Sequence, residues 1–243
     1  MSTTTGRRVG RPRAVQRPDS GLSARDELLA AAAELFTTQG YTATSTRAVA
    51  ESAGMRQASM YHYFGCKEDL LAELLESTVT PSLTLARQLL ADDGRPAPTR
   101  LWELCRSDVK LLCGGPYNLG ALYLLPEVQG ERFQVFHRVR SELKAAYGLL
   151  LAATPEGSAL TKTERALRTD LVFGLIEGVI LVHRSDPRRS VARFAEATAD
   201  AALRIVGIAS RPGALSQRAD GMLQAASDAA SAASSPRRST RPG

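Results

Sequence analysis

Apolar residues recur at helical spacing from about residue 23 to residue 209, and the pattern predicts an all-α chain of about nine helices. Leu28, Ala32, Leu35 and Phe36 fall at i, i+4, i+7 and i+8, one stripe on a helix running from Ser23, its N-cap, to Gln39, with Gly40 closing it. Asp26 and Glu27 suit the positive end of that helix. Val49, Ala50, Ala53, Met60 and Phe64 would seal two shorter helices together, the first capped by Ser45 and ended at Ala53-Gly54, the second running from Arg56 to Phe64. From Lys67 the pattern continues to about Leu90, with Pro81 expected to kink or restart it. Residues 91–98, ADDGRPAP, read as a loop. Five further helices are expected at about 99–113, 117–126, 130–153, 162–185 and 188–209, separated by GGP, PEVQG, TPEGS and Asp186-Pro187. LVFGLIEGVILV, residues 171–182, is apolar nearly all round, with Glu177 its one charge, and is predicted to be buried on every side.

Residues 44–67 make a helix, a tight glycine turn and a helix, the geometry that lays a second helix in a DNA major groove. Outside the apolar seam, that second helix carries Arg56, Gln57, Ser59, Tyr61, His62 and Tyr63. Gln and Arg read purine edges, Ser and Tyr hydroxyls reach phosphates or bases, and Lys67 stands beside the next helix N-terminus, where it can take a backbone phosphate. The competing reading is a solvated helix in an ordinary bundle.

The run from Arg25 to Leu75, with AAAELFTTQGY, STRAVAESAG, YHYF and KEDLL in order, closely resembles the DNA-binding domain of the TetR/AcrR family of transcriptional regulators. The resemblance implies a supporting helix from about Ser45 and a recognition helix from Arg56, and Thr44, Ser45, Thr46 and Arg47 at the start of the first are DNA-binding candidates beside those of the second. It also implies that Tyr61, Tyr63 and Lys67 clamp phosphates. Cys66 stands where that family usually has a small polar residue, and Ser45 where it has threonine. The domains expected are a basic arm over 1–22, a helix-turn-helix domain over 23–70, a larger helical ligand-binding and dimerisation domain over 71–209, and a tail over 210–243.

Composition supplies ample core, with 44% hydrophobic residues, and few bulky anchors, with 5% aromatic. The net charge of +6 is uneven: residues 1–18 hold five Arg and no acid, residues 211–243 five Arg and two Asp, leaving the remainder slightly negative. Rich in Ser, Thr, Gly, Pro and Arg, the arm is expected to be disordered, as is the Ala/Ser/Pro/Arg tail. Within RRVGRPRAVQR, the Gly10-Arg11-Pro12 core is similar to an AT-hook, so Arg7, Arg8, Arg11 and Arg13 are candidates for a narrow minor groove. The alternative is a tail whose charge only aids encounter. No apolar run reaches the roughly 18–20 residues of a membrane span, and the N-terminus lacks the apolar core of a secretion signal, so no membrane partner and a cytoplasmic location are expected.

Cys66, Cys105 and Cys113 form no CxxC or metal cluster and are read as reduced thiols. Cys105 and Cys113 on one helix stand about 12 Å apart by rise, beyond disulfide reach. Candidate walls of a small-molecule site are Trp102, Cys105, Tyr117, Asn118, Tyr123, Phe133, Phe136, His137, Tyr147, Phe173 and Glu177, since aromatics with a few polar tips suit such a site. Core packing is the competing reading for each. His137 lacks a second ligand at i+3 or i+4, and neither a metal nor a cofactor is expected. In so small a domain one face of the apolar helix meets its own core and the other needs a partner, which predicts a homodimer through that helix and the next. The interface candidates are Leu171, Gly174, Leu175, Gly178, Ile180, Phe194, Ala201 and Ile205.

The histidines are scattered, and no GxSxG, HExxH, P-loop or GxGxxG occurs, which argues against an enzyme. The expected function is a dimeric repressor that binds a palindromic operator and is released by a small apolar or amphipathic effector. An architectural DNA-binding protein is the alternative, although its positive charge would be spread over the body. Deleting residues 2–18 is expected to weaken DNA binding and flatten its salt dependence. An unchanged slope in a salt titration would mean that the arm is idle.

Overall fold

The computed structural model describes residues 21–186 and 188–209, and the described residues form ten α-helices and no strand. The arm arginines Arg7, Arg8, Arg11 and Arg13 and the tail over 210–243 lie outside the described residues. The chain divides into two compact units at Leu70 and Leu71.

The first unit holds α1 (Ala24–Thr38), α2 (Thr46–Ser52) and α3 (Gln57–Met60), with α1 packed on α2 and α2 on α3. Ser23 caps α1 by accepting from the Asp26 amide, and Ser45 caps α2 by accepting from the Ala48 amide, so each serine satisfies one otherwise orphaned donor. Leu28, Ala32, Leu35, Phe36, Val49, Ala50, Ala53, Met60 and Phe64 are all buried, the seam expected from the spacing. Gly54 turns the chain between α2 and α3 with φ +72°, a conformation strained for any residue with a Cβ. The expected helix from Arg56 to Phe64 is shorter than its pattern. Regular α-helix stops at Met60, and residues 61–64 continue as a turn in which the Tyr63 and Phe64 amides both donate to the Met60 carbonyl.

The helix expected from Lys67 to Leu90 is two: α4 (Lys67–Ser77) and α5 (Thr80–Ala91). Thr78 Oγ1 donates back to the Leu75 carbonyl, and Pro81 sits in the first turn of α5, where its missing N–H leaves no bond unmade. In the second unit α6 (Ala97–Cys113), α7 (Gln134–Ala152), α8 (Pro155–Ser158), α9 (Lys162–Ser185) and α10 (Val191–Val206) complete the bundle. The expected helix at 117–126 is replaced by three short 3-10 turns, Leu119–Leu124, Pro126–Gln129 and Glu131–Phe133. Pro116 and Pro126 bracket the first of these turns, and α7 begins only at Gln134. The TPEGS break forms the single turn α8, capped by Thr154.

The core is centred on α6, which packs against α5, α7, α9 and α10 and is buried continuously from Thr99 to Val109. Several of its polar residues are anchored individually. Arg100 Nη1 donates to the Leu89 carbonyl at 3.0 Å, Arg95 pairs with Glu103, and Trp102 Nε1 donates to Asp200 on α10 at 2.7 Å. Asp108 receives hydrogen bonds from Ser82 of α5 and, at 2.7 Å, from Tyr147 of α7. Cys105 and Cys113 lie buried on this same continuous helix, where burial pushes both thiols up, Cys113 to about 11.

Burial raises Asp108 from its ordinary 3.8 to about 6, against the lowering effect of its two hydroxyl donors. A carboxyl whose pKa is raised by folding contributes stability that is full below about 3.8 and lost as pH rises through about 6. Asp108→Asn is therefore expected to flatten the fall in melting temperature between those values, as measured by thermal denaturation across that pH window.

Candidate functional site

In the first unit the outward side of the helix-turn-helix is organised by three side chains from its two helices. Gln57 Nε2 donates to Thr46 Oγ1 at 3.0 Å, and Thr46 Oγ1 lies 3.3 Å from the Tyr61 hydroxyl. Thr46 thus ties the start of α2 to both ends of α3. Around them Ser45, Arg47, Arg56, Gln57, Tyr61, His62 and Tyr63 are exposed, with Thr46 and Ser59 half-buried. Tyr61 and Tyr63 present about half of their surface, 49% and 46%, a large amphipathic area over the buried Met60 and Phe64. Arg47 is joined through Nε to Glu51 one turn on, at 2.8 Å in an exposed pair.

Two candidates face inward instead. Thr44 is buried, and its hydroxyl donates to the Gly40 carbonyl at 2.8 Å, closing the end of α1. Lys67 is half-buried, donates from Nζ to the Tyr41 and Thr44 carbonyls at 2.9 and 3.0 Å, and stands 4.1 Å over the Tyr41 ring. That ammonium joins the start of α4 to the loop between α1 and α2. Its spacing in the sequence carries no sign of this role, because the carbonyls that it meets lie 26 and 23 residues away.

The second unit contains a cavity of about 470 Å³ bounded by the 3-10 segment, α7 and α9. Of the candidate walls, Tyr123, Phe136, His137 and Glu177 line it, brought together with Gly120, Leu124, Val128, Gln129, Arg140, Gly178, Ile180 and Leu181. Tyr123 and Phe136 meet edge to face, ring centres 5.0 Å apart, and the Tyr123 hydroxyl pairs with Thr78. Burial pushes the Tyr123 phenol up, so it stays protonated. His137 Nε2 lies 2.8 Å from the Val128 carbonyl. A carbonyl only accepts, so Nε2 carries the proton and Nδ1 of the neutral ring is an acceptor. Arg140 binds Glu177 through two nitrogens, Nε at 2.5 Å and Nη2, and its guanidinium lies 5.2 Å from the Phe173 ring centre. Gly120 lets the 3-10 segment lie against α9: a Cβ there would stand 2.4 Å from Ile180 Cδ1.

The remaining candidate walls lie elsewhere. Cys105, Tyr147, Phe173 and Trp102 are core residues, held there by the packing around α6, and Phe133 is buried in the last 3-10 turn. Tyr117 and Asn118 precede the cavity, and Asn118 Nδ2 donates to the Ile180 carbonyl at 3.1 Å. Sequence spacing missed Arg140 because its partner Glu177 is 37 residues away on another helix.

On α9 the buried residues Val172, Phe173, Ile176, Val179 and Ile180 alternate with a second apolar face. Leu167, Leu171 and Leu181 are each more than half exposed, with Val182, Gly174 and Gly178 among them. A Cβ added at either glycine would meet nothing within 4 Å. The helix expected to be buried all round thus has a bare side within the protomer. Ile180 is a correction among the interface candidates: it points into the protomer core beside Gly120. Leu175, Phe194, Ala201 and Ile205 are half-buried.

Residues 28–74 match the family of bacterial regulatory proteins of the tetR family. The HTH-type transcriptional repressor KstR2 of Rhodococcus jostii is 30% identical over 138 residues, covering 55% of this chain and 67% of that protein. KstR2 of Mycolicibacterium smegmatis is 45% identical over 58 residues, 24% of this chain, and the match spans only 28% of that relative's length. The crystal structure of Mycobacterium smegmatis AmtR superimposes with a TM-score of 0.71 at 41% identity, covering 91% of this chain and all of that one. Similarity over the helix-turn-helix and, with AmtR, along nearly the whole chain shows that this chain belongs to the tetR family of bacterial regulatory proteins.

Proposed function

We propose that this chain is a cytoplasmic, homodimeric transcriptional repressor that reads a palindromic operator and leaves it when an effector occupies the cavity bounded by α7 and α9. The observation that carries the DNA-binding half is the Thr46, Gln57 and Tyr61 arrangement, which holds polar and aromatic groups outward on a short helix whose other side is fully buried. Hydrogen bonding among the three before DNA arrives lowers the side-chain entropy lost on binding. Gln57 and Arg56 would read base edges, while Ser45, Thr46, Ser59, Tyr61, His62 and Tyr63 take phosphates or bases and Arg47 adds a phosphate contact. Lys67 supports this surface from within.

Charge supports a specific reader over a coating protein. Residues 21–70 carry four Lys and Arg against six Asp and Glu, so attraction to DNA has to come from a few placed groups and from the arm. Repression is supported by the names of the KstR2 relatives. The bare face of α9, with Leu167, Leu171 and Leu181 flanking Gly174 and Gly178, suits a two-fold helix packing in which the glycines admit close approach. Effector linkage would pass along α4, where the chain leaves one unit for the other.

Gln57→Ala and Tyr61→Ala are each expected to cost about 1–3 kcal/mol in operator affinity with melting temperature retained. Fluorescence anisotropy at fixed salt, on DNA from upstream of the chain's own gene against a scrambled duplex, measures this, and unchanged affinity in both variants would refute the recognition surface. Leu171→Glu is expected to shift the sedimentation coefficient from dimer to monomer and to weaken operator binding, since one head alone makes half of the contacts.

A further inference from the structure

We propose that the cavity selects uncharged, largely apolar molecules and rejects organic acids and amines of the same size. This rests on the cavity being the effector site, as argued above.

The two formal charges on the wall, Arg140 and Glu177, are spent on each other in a two-pronged pair. The pair is partly shielded, the side chains 36% and 23% exposed, and the Phe173 ring below the guanidinium adds apolar surroundings. The rest of the wall is dominated by Tyr123, Phe136, Val128 and Ile180. An entering carboxylate would compete with Glu177 for Arg140 and be repelled by that acid beside it. An ammonium would compete with Arg140 for Glu177 and meet the guanidinium. Either also sheds its own hydration against the aromatic wall, and charges already paired with each other return too little to offset that. A neutral molecule leaves the pair intact, buries its apolar part against the aromatic wall, and can donate to the His137 nitrogen not bonded to Val128 or to Glu177. The pair is thus a charge filter.

Three eight-carbon probes with different heads test this: 1-octanol, octanoate and octylammonium, titrated into the full-length protein by calorimetry at physiological salt and neutral pH. The expected result is binding of 1-octanol, with both charged probes weaker by about tenfold or more. Glu177→Gln leaves Arg140 uncompensated and is expected to reverse the order, octanoate becoming the tightest. Arg140→Gln is the mirror variant, expected to favour octylammonium, and keeps the test valid should the first variant fail to fold in a thermal melt. Octanoate or octylammonium binding the unaltered protein as tightly as 1-octanol would overturn the filter while leaving the effector cavity standing. No binding by any probe would overturn both.

Discussion

Burying α6 is the constraint on which the second unit depends. A helix enclosed on all sides usually carries apolar residues on all sides, because an unpartnered polar group away from water costs more than a hydrogen bond returns. This one carries Arg100, Glu103, Arg106, Ser107 and Asp108 through its enclosed middle. It is tolerated because its neighbours bring partners for most of these groups: a carbonyl from α5 for Arg100, Arg95 for Glu103, Ser82 and Tyr147 for Asp108, with the Ser107 hydroxyl left without a hydrogen bond. Trp102 reaches Asp200 in the same way, and Arg106 lies 3.9 Å from Glu196, both on α10. Such bonds are directional, so they fix the register of α5, α7 and α10 around α6 where apolar contacts alone would let them slide.

That fixed centre leaves the working surfaces at the margins. The cavity lies where the 3-10 segment lies over α7 and α9, brought close by Gly120. The adjoining face of α9 is bare because α6, α7 and α10 cover only its inner face, and Gly178 and Leu181 belong to both the cavity wall and that bare face. One helix therefore supplies both the wall bearing Glu177 and the apolar stripe bearing Leu171, so under the proposed function effector binding and protomer pairing would act on the same element.

In the first unit the physics is local. Caps at Ser23 and Ser45, a left-handed glycine at position 54 and one buried apolar seam hold the three helices together. The Lys67 ammonium extends this by joining two loop carbonyls and an aromatic ring. Its interior role and an outward one differ only in where three N–H groups point.

The all-helical class, the helix-turn-helix, its caps and the buried seam were legible from residue order, since each depends on neighbours within one or two turns and the 3.6-residue period reports them directly. The aromatic-rich stretch from Trp102 to Tyr147 pointed to the right part of the chain for a cavity, but spacing could not separate Tyr123, Phe136 and His137 on its wall from Trp102, Cys105 and Tyr147 in the core. Helix 171–182 showed its apolar excess without showing which residues face out, and Ile180 fell on the other side from the one expected. By itself the sequence determined the helical class, most element positions and the outward placement of Gln57 and Tyr61, because short-range periodicity, caps and turns encode them, while Thr44 and Lys67 turned inward. Only the tertiary structure decided that a charge-bearing helix takes the centre, that Arg140 meets Glu177 across 37 residues, and which aromatics line space instead of filling it. Those outcomes depend on partners distant in sequence, and a local pattern carries no record of them.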